Sequence, residues 1–312
     1  MDETVDDTPF RILSLDGGGA KGFYTLGVLR EVEALVGCPL SETFDLIYGT
    51  STGSIIGAML ATGKAVGEIH DLYRKYVPDI MKLSWPSQKS AKLAELSDEI
   101  FGEDGFDTVK TAVGIVATKW IEETPLIFKS DPCQALGRQE SFVPGFGATL
   151  GEAVQASCSA YPYFHRKLVT LPNGEKIEAL DGGYCANNPT LYALADAVHG
   201  FKVKPGALRV LNVGVGDYPT PKVPFLSVST FLALCPSTPV AHKAFNVNTQ
   251  SMAQLRSILF PRIDTVRVSD AFTEPTMATD MFEHNIDKLN LIHRRGRESY
   301  GRQEAAIRQL LS

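Results

Sequence analysis

The hydrophobic pattern of the first sixty-odd residues predicts two strand–turn–helix units. Residues 10–15 form a short apolar run before a cluster of glycines, and residues 44–48 form a second such run, as in buried strands. After the first run, apolar residues recur at helical spacing until Gly37, and after the second, small residues continue as a helix over 52–62. Strands that alternate with helices predict a parallel sheet with helices on both faces.

The rest of the chain continues this alternation. Further helices are predicted over 65–76, 150–157, 189–198, 241–259 and 298–311, and further strands over 113–118, 126–129, 167–171, 176–180, 208–213 and 265–268. The segment 77–104 shows no clear periodicity. The predicted fold class is therefore α/β, a three-layer sandwich around a mostly parallel central sheet. No change of composition and no repeat divides residues 1–312, so we expect a single domain.

Composition and charge narrow the classes of function. The chain has 312 residues and a formal net charge of -6, which argues against nucleic-acid binding and against electrostatic recruitment to anionic lipid. The N-terminus is acidic where a secretory signal would be basic, and no apolar run approaches the roughly 20 residues of a spanning helix. We therefore expect a soluble cytoplasmic protein whose membrane contact is peripheral. The cysteines form no CxxC pair and no cluster with histidine, so no metal site is expected.

A candidate nucleophile lies between the second predicted strand and its helix. Gly49-Thr50-Ser51-Thr52-Gly53 fits the G-x-S-x-G pattern of a nucleophile elbow. In that turn a serine hydroxyl projects into the site, and small residues two positions away on either side allow the strand and the helix to pass closely. The helix that begins after Ser51 also places backbone N–H groups near a reacting carbonyl.

A glycine-rich loop follows the first predicted strand, as Asp16-Gly17-Gly18-Gly19-Ala20-Lys21-Gly22. Its unshielded backbone N–H groups can bind an oxyanion or a phosphate. The same residues satisfy the dinucleotide fingerprint, with Glu42 at about the expected distance, and they also fit a tight turn without any ligand. The nucleophile elbow on the next strand favours the oxyanion. Lys21 either adds positive charge beside it or is solvated.

A candidate base follows the predicted strand 176–180, in Asp181-Gly182-Gly183. An isolated Asp-Gly is usually only a turn. A Ser-His-Asp triad would instead require a histidine after the acid. The late histidines are His199, His242, His284 and His293, none of them in a recognisable loop context, and His165 precedes Asp181. Each is more typical of a surface or packing residue, which leaves Asp181 as the candidate partner of Ser51.

In chain order, these motifs resemble the patatin-like phospholipases. The similarity covers about residues 10–216 and includes the glycine-rich loop, the elbow, an alanine–serine–proline stretch before an aromatic residue at 156–164, and Asp-Gly-Gly with an asparagine–proline helix start at 181–189. Two positions differ from the usual pattern, since lysine stands at Lys21 in place of arginine and valine at Val215 in place of threonine. We expect the C-terminal third to complete the same domain.

The resemblance implies a Ser-Asp dyad that needs no metal and no cofactor. Ser51 would attack the fatty-acyl ester of a glycerophospholipid, with Asp181 as base. A free aspartate, with a pKa near 3.9, is a poor base at neutral pH, but burial raises the pKa. The implied oxyanion hole is Gly17, Gly18 and Gly19, and the implied supporting residues are Lys21, Gly49, Gly53, Gly182 and Gly183. The alternatives are a small-ester or triad hydrolase, or a nucleotide-binding sensor that uses the Gly17–Gly22 loop.

The resemblance also implies two partners, a phospholipid membrane and a cyclic oligonucleotide activator, because some short bacterial patatins that resemble this chain are antiphage effectors switched on by a cyclic nucleotide. Candidate basic residues for the activator are Arg294, Arg295 and Arg297. Candidate membrane contacts, with core packing as the alternative, are Met81, Leu83, Trp85, Phe225, Leu226, Phe231, Leu232 and Leu234.

Overall fold

The computed structural model describes residues 8–221 and 237–312. In this part of the chain one eight-stranded sheet forms the centre of the molecule, in the order β5-β6-β3-β2-β1-β7-β8, with β4 also paired to β3. The strands are β1 Phe10–Leu15, β2 Leu46–Thr50, β3 Ala112–Lys119, β4 Pro125–Lys129, β5 Lys167–Thr170, β6 Lys176–Asp181, β7 Leu208–Val213 and β8 Asp264–Val268. Strands β1, β2, β3, β7 and β8 run parallel, whereas β4, β5 and β6 join by antiparallel pairing.

Helices cover both faces of the sheet. They are α1 Gly22–Val36, α2 Leu40–Thr43, α3 Thr52–Ala61, α4 Val66–Met81, α5 Pro86–Phe101, α6 Leu150–Ser157, α7 Gly183–Ala186, α8 Thr190–Ala195, α9 Ser237–Leu259 and α10 Ile286–Leu311. Successive residues of a strand point to opposite faces. Leu13 and Leu15 of β1 accordingly pack in the larger core with α1 and α3, and Ile12 packs in the smaller core with α8. The predicted three-layer α/β class is confirmed.

The segment 77–104, for which the sequence predicted no regular element, is mostly helical. Helix α4 continues to Met81, and α5 begins with Pro86 in its first turn, where a missing N–H costs nothing. The buried residues of α5 lie on one face and include two polar ones, whereas Gln88, Glu95, Asp98 and Glu99 are exposed; the buried set is Lys89, Leu93, Leu96, Ser97 and Phe101. The polar composition concealed a helix that packs through one narrow face.

The closing helix begins at Ile286, twelve residues before the predicted start. Glycine usually weakens a helix, but Gly296 lies inside α10 because α10 packs very closely on α1. A Cβ at Gly296 would lie 2.1 Å from the Tyr24 carbonyl oxygen, and a Cβ at Gly27 would lie 2.0 Å from the His293 carbonyl oxygen. The two glycines therefore allow two helix backbones to touch. Within the described residues, none of the helices is both long and apolar enough to cross a membrane.

Candidate active site

Ser51 lies in a strained turn between β2 and α3. Its backbone has φ 52° and ψ -125°, a conformation that residues other than glycine rarely adopt. A Cβ at Gly49 would lie 2.3 Å from the Gly53 carbonyl oxygen, and a Cβ at Gly53 would lie 2.3 Å from the Leu15 carbonyl oxygen. Both glycines of the G-x-S-x-G pattern are therefore sterically required, and this geometry is that of a nucleophile elbow.

The register of β3 places Asp181 beside Ser51. Along β3, Val116 pairs with Thr50, the last residue of β2, and the next residue, Ala117, pairs with Asp181, the last residue of β6. Residues 114–118 pair at the same time with β4, so β2 and β6 follow one another along the other side of β3. They run in opposite directions, and their carboxyl ends meet. Two residues 130 positions apart thus reach one pocket, which both of them line.

Asp181 carries a buried carboxyl group whose pKa is unusually high for an aspartate. Burial raises its pKa to about 7, against the opposing effects of the Ser51 hydroxyl and of the Gly183 N–H. That N–H donates to Asp181 Oδ1 at 2.7 Å. The other oxygen, Oδ2, is buried and forms no hydrogen bond within the described part of the chain. The carboxylate therefore has a free acceptor atom and a pKa suited to taking a proton near neutral pH.

The glycine-rich loop lies along the same pocket, but its three glycines are not equivalent. The Gly17 N–H donates to the Asn187 carbonyl oxygen at 2.9 Å, so this N–H is already used. The N–H groups of Gly18 and Gly19 have no acceptor among the residues that the structure describes. A Cβ at Gly17 would lie 2.3 Å from Asn187 Oδ1 and 3.2 Å from the Ser51 Cβ. Of the three glycines predicted to form an oxyanion hole, only Gly18 and Gly19 thus have an N–H without an acceptor in the described residues. The lack of a side chain at Gly17 allows the loop to lie close to Ser51 and Asn187.

The end of α6 and the residues after it hold both candidate residues in place. Ser157 Oγ accepts the Ser51 N–H at 2.9 Å and donates to the Val116 carbonyl oxygen at 2.6 Å. The Ser157 carbonyl accepts the Gly182 N–H at 3.2 Å, and the Ser159 carbonyl accepts the Asp181 N–H at 3.0 Å. One three-residue segment thus fixes the elbow and the acid relative to each other.

Charged groups form the wall behind the glycine-rich loop. Arg267 Nη2 lies 2.8 Å from Asp16 Oδ2, and Asn212 Nδ2 donates to Asp16 Oδ1 at 2.9 Å. Burial raises the pKa of Asp16. Burial lowers the pKa of Lys21, and the negative charges of Asp217 and Asp280 oppose that lowering. Lys21 is thus buried and lines the pocket, so it is not the solvated lysine of the alternative interpretation.

Helix α9 covers one side of the pocket. Asn187 Nδ2 donates to Thr249 Oγ1 at 2.6 Å, and the Asn187 N–H donates to Asn248 Oδ1 at 2.8 Å. Phe245 is buried, packs on the Tyr184 ring at 4.8 Å and lines the pocket. The position of α9 therefore depends on the residues that follow Asp181 in the chain.

The structure gives no support to the triad or to the dinucleotide alternative. Of the histidines whose side chains the structure describes, none lines the pocket with Ser51, and the side chain of His242 lies outside the described residues. Glu42 is exposed on α2, away from the pocket. No group of acidic, histidine or cysteine side chains in the described ranges is arranged to hold a metal ion.

The arginines predicted to bind an activator lie away from the pocket, and the residues predicted to contact a membrane differ in their exposure. Arg295 pairs with Glu298 and Arg297 with Glu31, and neither these arginines nor Arg294 lines the pocket. Trp85 is 61% exposed, whereas Met81 and Leu83 are partly buried. The apolar residues predicted as contacts between 225 and 234 lie outside the described residues.

Sequence reasoning missed several residues of this site. Asn187 and Ser157 stood inside recognised motifs, but without assigned roles. Arg267 and Phe245 stood in the C-terminal third, where no motif was identified. Only the alternation of helix and strand pointed to that region as part of the same sheet, and nothing in the pattern pointed to individual side chains.

Comparison with known proteins identifies the class that this fold and site define. The family model described as patatin-like phospholipase matches residues 13–194. The chain belongs to the patatin-like phospholipase family, and its enzyme class is that of a phospholipase hydrolase.

Two relatives and one solved structure illustrate the similarity. A cUMP-AMP-activated phospholipase of Escherichia coli is 50% identical over 313 residues, which cover 100% of this chain and 97% of the relative. A cGAMP-activated phospholipase of E. coli strain TW11681 is 30% identical over 237 residues, which cover 68% of this chain and 64% of the relative. The structure of VipD from Legionella pneumophila aligns over 97% of this chain and 67% of that chain, with a TM-score of 0.49 and 12% identity.

Proposed function

We propose that this phospholipase cleaves fatty-acyl esters of phospholipids with a dyad of Ser51 and Asp181. The observation that carries the proposal is the meeting of the carboxyl ends of β2 and β6 on β3, which puts the strained serine and the basic buried carboxylate in one pocket. The proposal also rests on a glycine loop with two N–H groups that have no acceptor among the described residues, and on the absence of any histidine from the described lining of that pocket.

In the proposed mechanism, Ser51 Oγ attacks the ester carbonyl while its proton passes to Asp181. The carbonyl oxygen becomes an oxyanion and accepts hydrogen bonds from the Gly18 and Gly19 N–H groups. When the intermediate collapses, the C–O bond to the lysolipid breaks, and Asp181 returns the proton to the leaving oxygen. Water then attacks the acyl-enzyme with Asp181 again as base, releasing the fatty acid and free Ser51.

We further propose that a cyclic nucleotide controls access to the dyad. The space enclosed by the described lining residues is about 30 Å³, whereas pockets for drug-sized ligands have roughly 300–1,000 Å³. An acyl chain therefore enters only after part of the lining moves, and Phe245, Asn246 and Gln250 of α9 belong to that lining. The relatives named cUMP-AMP-activated and cGAMP-activated phospholipase support an activator of this class. In this proposal the protein is an antiviral effector that degrades membrane lipids from the cytoplasmic face, in peripheral contact with the bilayer.

The test compares fatty-acid release from phospholipid vesicles by the wild type, Ser51→Ala and Asp181→Asn, each with and without cUMP-AMP. We expect release by the wild type to depend on the nucleotide and to fall by at least about 1,000-fold in both variants. A fluorophosphonate that labels Ser51 reports the nucleophile independently of lipid. Activity at the wild-type level in either variant contradicts the dyad. Full activity of the wild type without nucleotide contradicts only the control by an activator.

A further inference from the structure

Three large apolar side chains are exposed together near the candidate active site. Trp120 is 43% exposed, Ile121 is 75% exposed and Tyr161 is 43% exposed. The Trp120 and Tyr161 rings lie 6.2 Å apart, centroid to centroid. We call these three residues the aromatic tip. Isolated exposed apolar residues are common on proteins, but a contiguous group needs a reason.

Two residues of the aromatic tip, Trp120 and Ile121, follow the carboxyl end of β3, beyond the point where this strand pairs with Asp181. Ala117 of β3 pairs with Asp181, and the strand continues to Lys119 before the turn that carries Trp120 and Ile121. At about 3.3 Å per residue, Trp120 lies roughly 10 Å beyond the acid along the strand. The Trp120 N–H donates to the Glu178 carbonyl oxygen at 2.8 Å, and the Lys119 N–H donates to the Thr124 carbonyl oxygen at 2.8 Å. The tip is therefore held firmly on the sheet.

Contacts connect the aromatic tip to the wall of the pocket. The Tyr184 hydroxyl donates to the Tyr161 carbonyl oxygen. The Tyr184 ring packs on Phe245, which lines the pocket with Ser51. The Tyr161 N–H donates to the Ser159 carbonyl at 2.8 Å, in the segment that also holds Asp181. A surface that binds the tip therefore comes close to the pocket in a defined orientation.

The charges around the aromatic tip nearly cancel. The Arg166 guanidinium lies 4.9 Å from the Trp120 ring centroid and 5.7 Å from the Tyr161 centroid, and it pairs with Glu178 at 3.1 Å. Lys119 lies 4.0 Å from Glu122. The exposed Glu123 adds a further negative charge. A strongly anionic partner gains nothing from this surface, whereas an uncharged amphipathic one fits it.

We propose that the aromatic tip inserts into the headgroup region of a phospholipid bilayer and sets the orientation of the enzyme on it. The inference rests on the proposed function, since it supplies the membrane contact that a phospholipid substrate requires. Tryptophan and tyrosine favour this region because their rings are apolar and their N–H or O–H groups stay hydrated. A stable protein interface uses roughly 20–30 residues on each side, far more than the tip offers. The balanced charge makes binding to zwitterionic phosphatidylcholine largely insensitive to salt.

The first experiment uses the two tryptophans of the chain as reporters. Trp85→Phe leaves Trp120 as the single tryptophan, and Trp120→Phe leaves Trp85, which is exposed just before α5 and is the competing candidate contact. With phosphatidylcholine vesicles, we expect the Trp120 emission to shift to the blue and to be quenched by brominated acyl chains, while Trp85 stays unchanged. Quenching of Trp85 alone, vesicle binding without a change in either reporter, or no vesicle binding overturns the proposal.

The second experiment separates the aromatic tip from the chemistry. In the double variant Trp120→Ala with Ile121→Ser, fatty-acid release from vesicles in the presence of cUMP-AMP should fall at least about tenfold, as expected when a large apolar side chain is no longer buried. Hydrolysis of a soluble short-chain ester should be unchanged, and the control Val143→Ser, which changes an exposed apolar residue outside the tip, should behave as the wild type on both substrates. If the double variant matches the wild type on vesicles, the tip is not the contact. If the wild type itself hydrolyses neither substrate, the proposed function fails instead.

Discussion

At the scale of single residues, the proposed mechanism makes the pH dependence of the activity follow the buried carboxyl group of Asp181. In that mechanism the group takes the Ser51 proton only when it is ionised, and burial brings its pKa to about 7. Against the pKa of about 3.9 for a free aspartate, this shift increases the strength of the base but delays its ionisation to neutral pH. A dyad without histidine can therefore show a pH midpoint that resembles that of a histidine enzyme.

We expect kcat/KM for a soluble ester to rise about tenfold per pH unit below pH 7 and to level off above it. The rate of Ser51 labelling by a fluorophosphonate should follow the same curve, because labelling needs the same base. A flat profile from pH 5 to 8, or a midpoint near 4, would mean that Asp181 is not desolvated as the structure indicates.

At the scale of elements, the segment 157–159 joins two strands and a turn that are far apart in the sequence. Ser157 Oγ bridges the Ser51 N–H and the Val116 carbonyl, and this bridge supports the strained φ of Ser51. The Ser159 hydroxyl donates only within its own helix end, to the Gln155 carbonyl at 2.8 Å. Two serines two positions apart therefore offer a matched comparison of a positioning residue and a control.

Ser157→Ala removes one hydrogen bond from each of two buried backbone groups, the Ser51 N–H and the Val116 carbonyl, at a cost of roughly 1–3 kcal/mol for each group left unsatisfied. Because one of them is the N–H of the candidate nucleophile, we expect kcat to fall by about 10–100-fold with KM nearly unchanged, while Ser159→Ala keeps wild-type kinetics. The kinetic constants and the urea unfolding midpoint are measured together. If both variants lose stability and neither loses kcat, Ser157 has a purely structural role.

At the scale of the whole molecule, the candidate base makes folding less favourable at neutral pH. Its folded pKa of about 7 lies above the unfolded value, so the folded state binds the extra proton between about pH 4 and pH 7. The free energy of unfolding therefore falls as pH rises through this window and changes no further above it. A shift of about three units corresponds to roughly 4 kcal/mol as an upper limit.

Asp181→Asn should be inactive and yet more stable than the wild type at pH 8, by up to about 4 kcal/mol. The difference should shrink as the pH falls toward 4, where the wild-type carboxyl group is protonated in the folded state and begins to be protonated in the unfolded state. Urea unfolding at pH 8, 6 and 4.5 measures this difference. Equal stability of the two proteins at all three pH values would contradict a buried, desolvated carboxylate.

The sequence predicted the elbow and the α/β class because both depend on local physics. Gly49 and Gly53 are required by contacts within a few residues of the turn and with the adjacent strand, and buried strands are recognisable as apolar runs. The helix α5 was missed because its apolar face is narrow. The predicted start of α10 came too late in the chain because a glycine such as Gly296 is typical of a helix end, and only the close packing of α1 explains its place inside the helix. Asp181 was selected only through motif resemblance and the lack of a suitably placed histidine.

The sequence by itself thus determined the layer class, the nucleophile turn and the glycine-rich loop, since periodicity and glycine sterics are properties of neighbouring residues. Tertiary structure alone decided that β6 meets β2 end to end on β3 and that Arg267 reaches Asp16 from 251 positions away. It also decided that the Gly17 N–H is bonded while those of Gly18 and Gly19 have no acceptor in the part of the chain that the structure describes. It alone also decided which aromatic residues stay exposed, because burial depends on elements that the local pattern does not contain. The pKa of Asp181 follows the same rule, since burial comes from the packing of the whole chain around it.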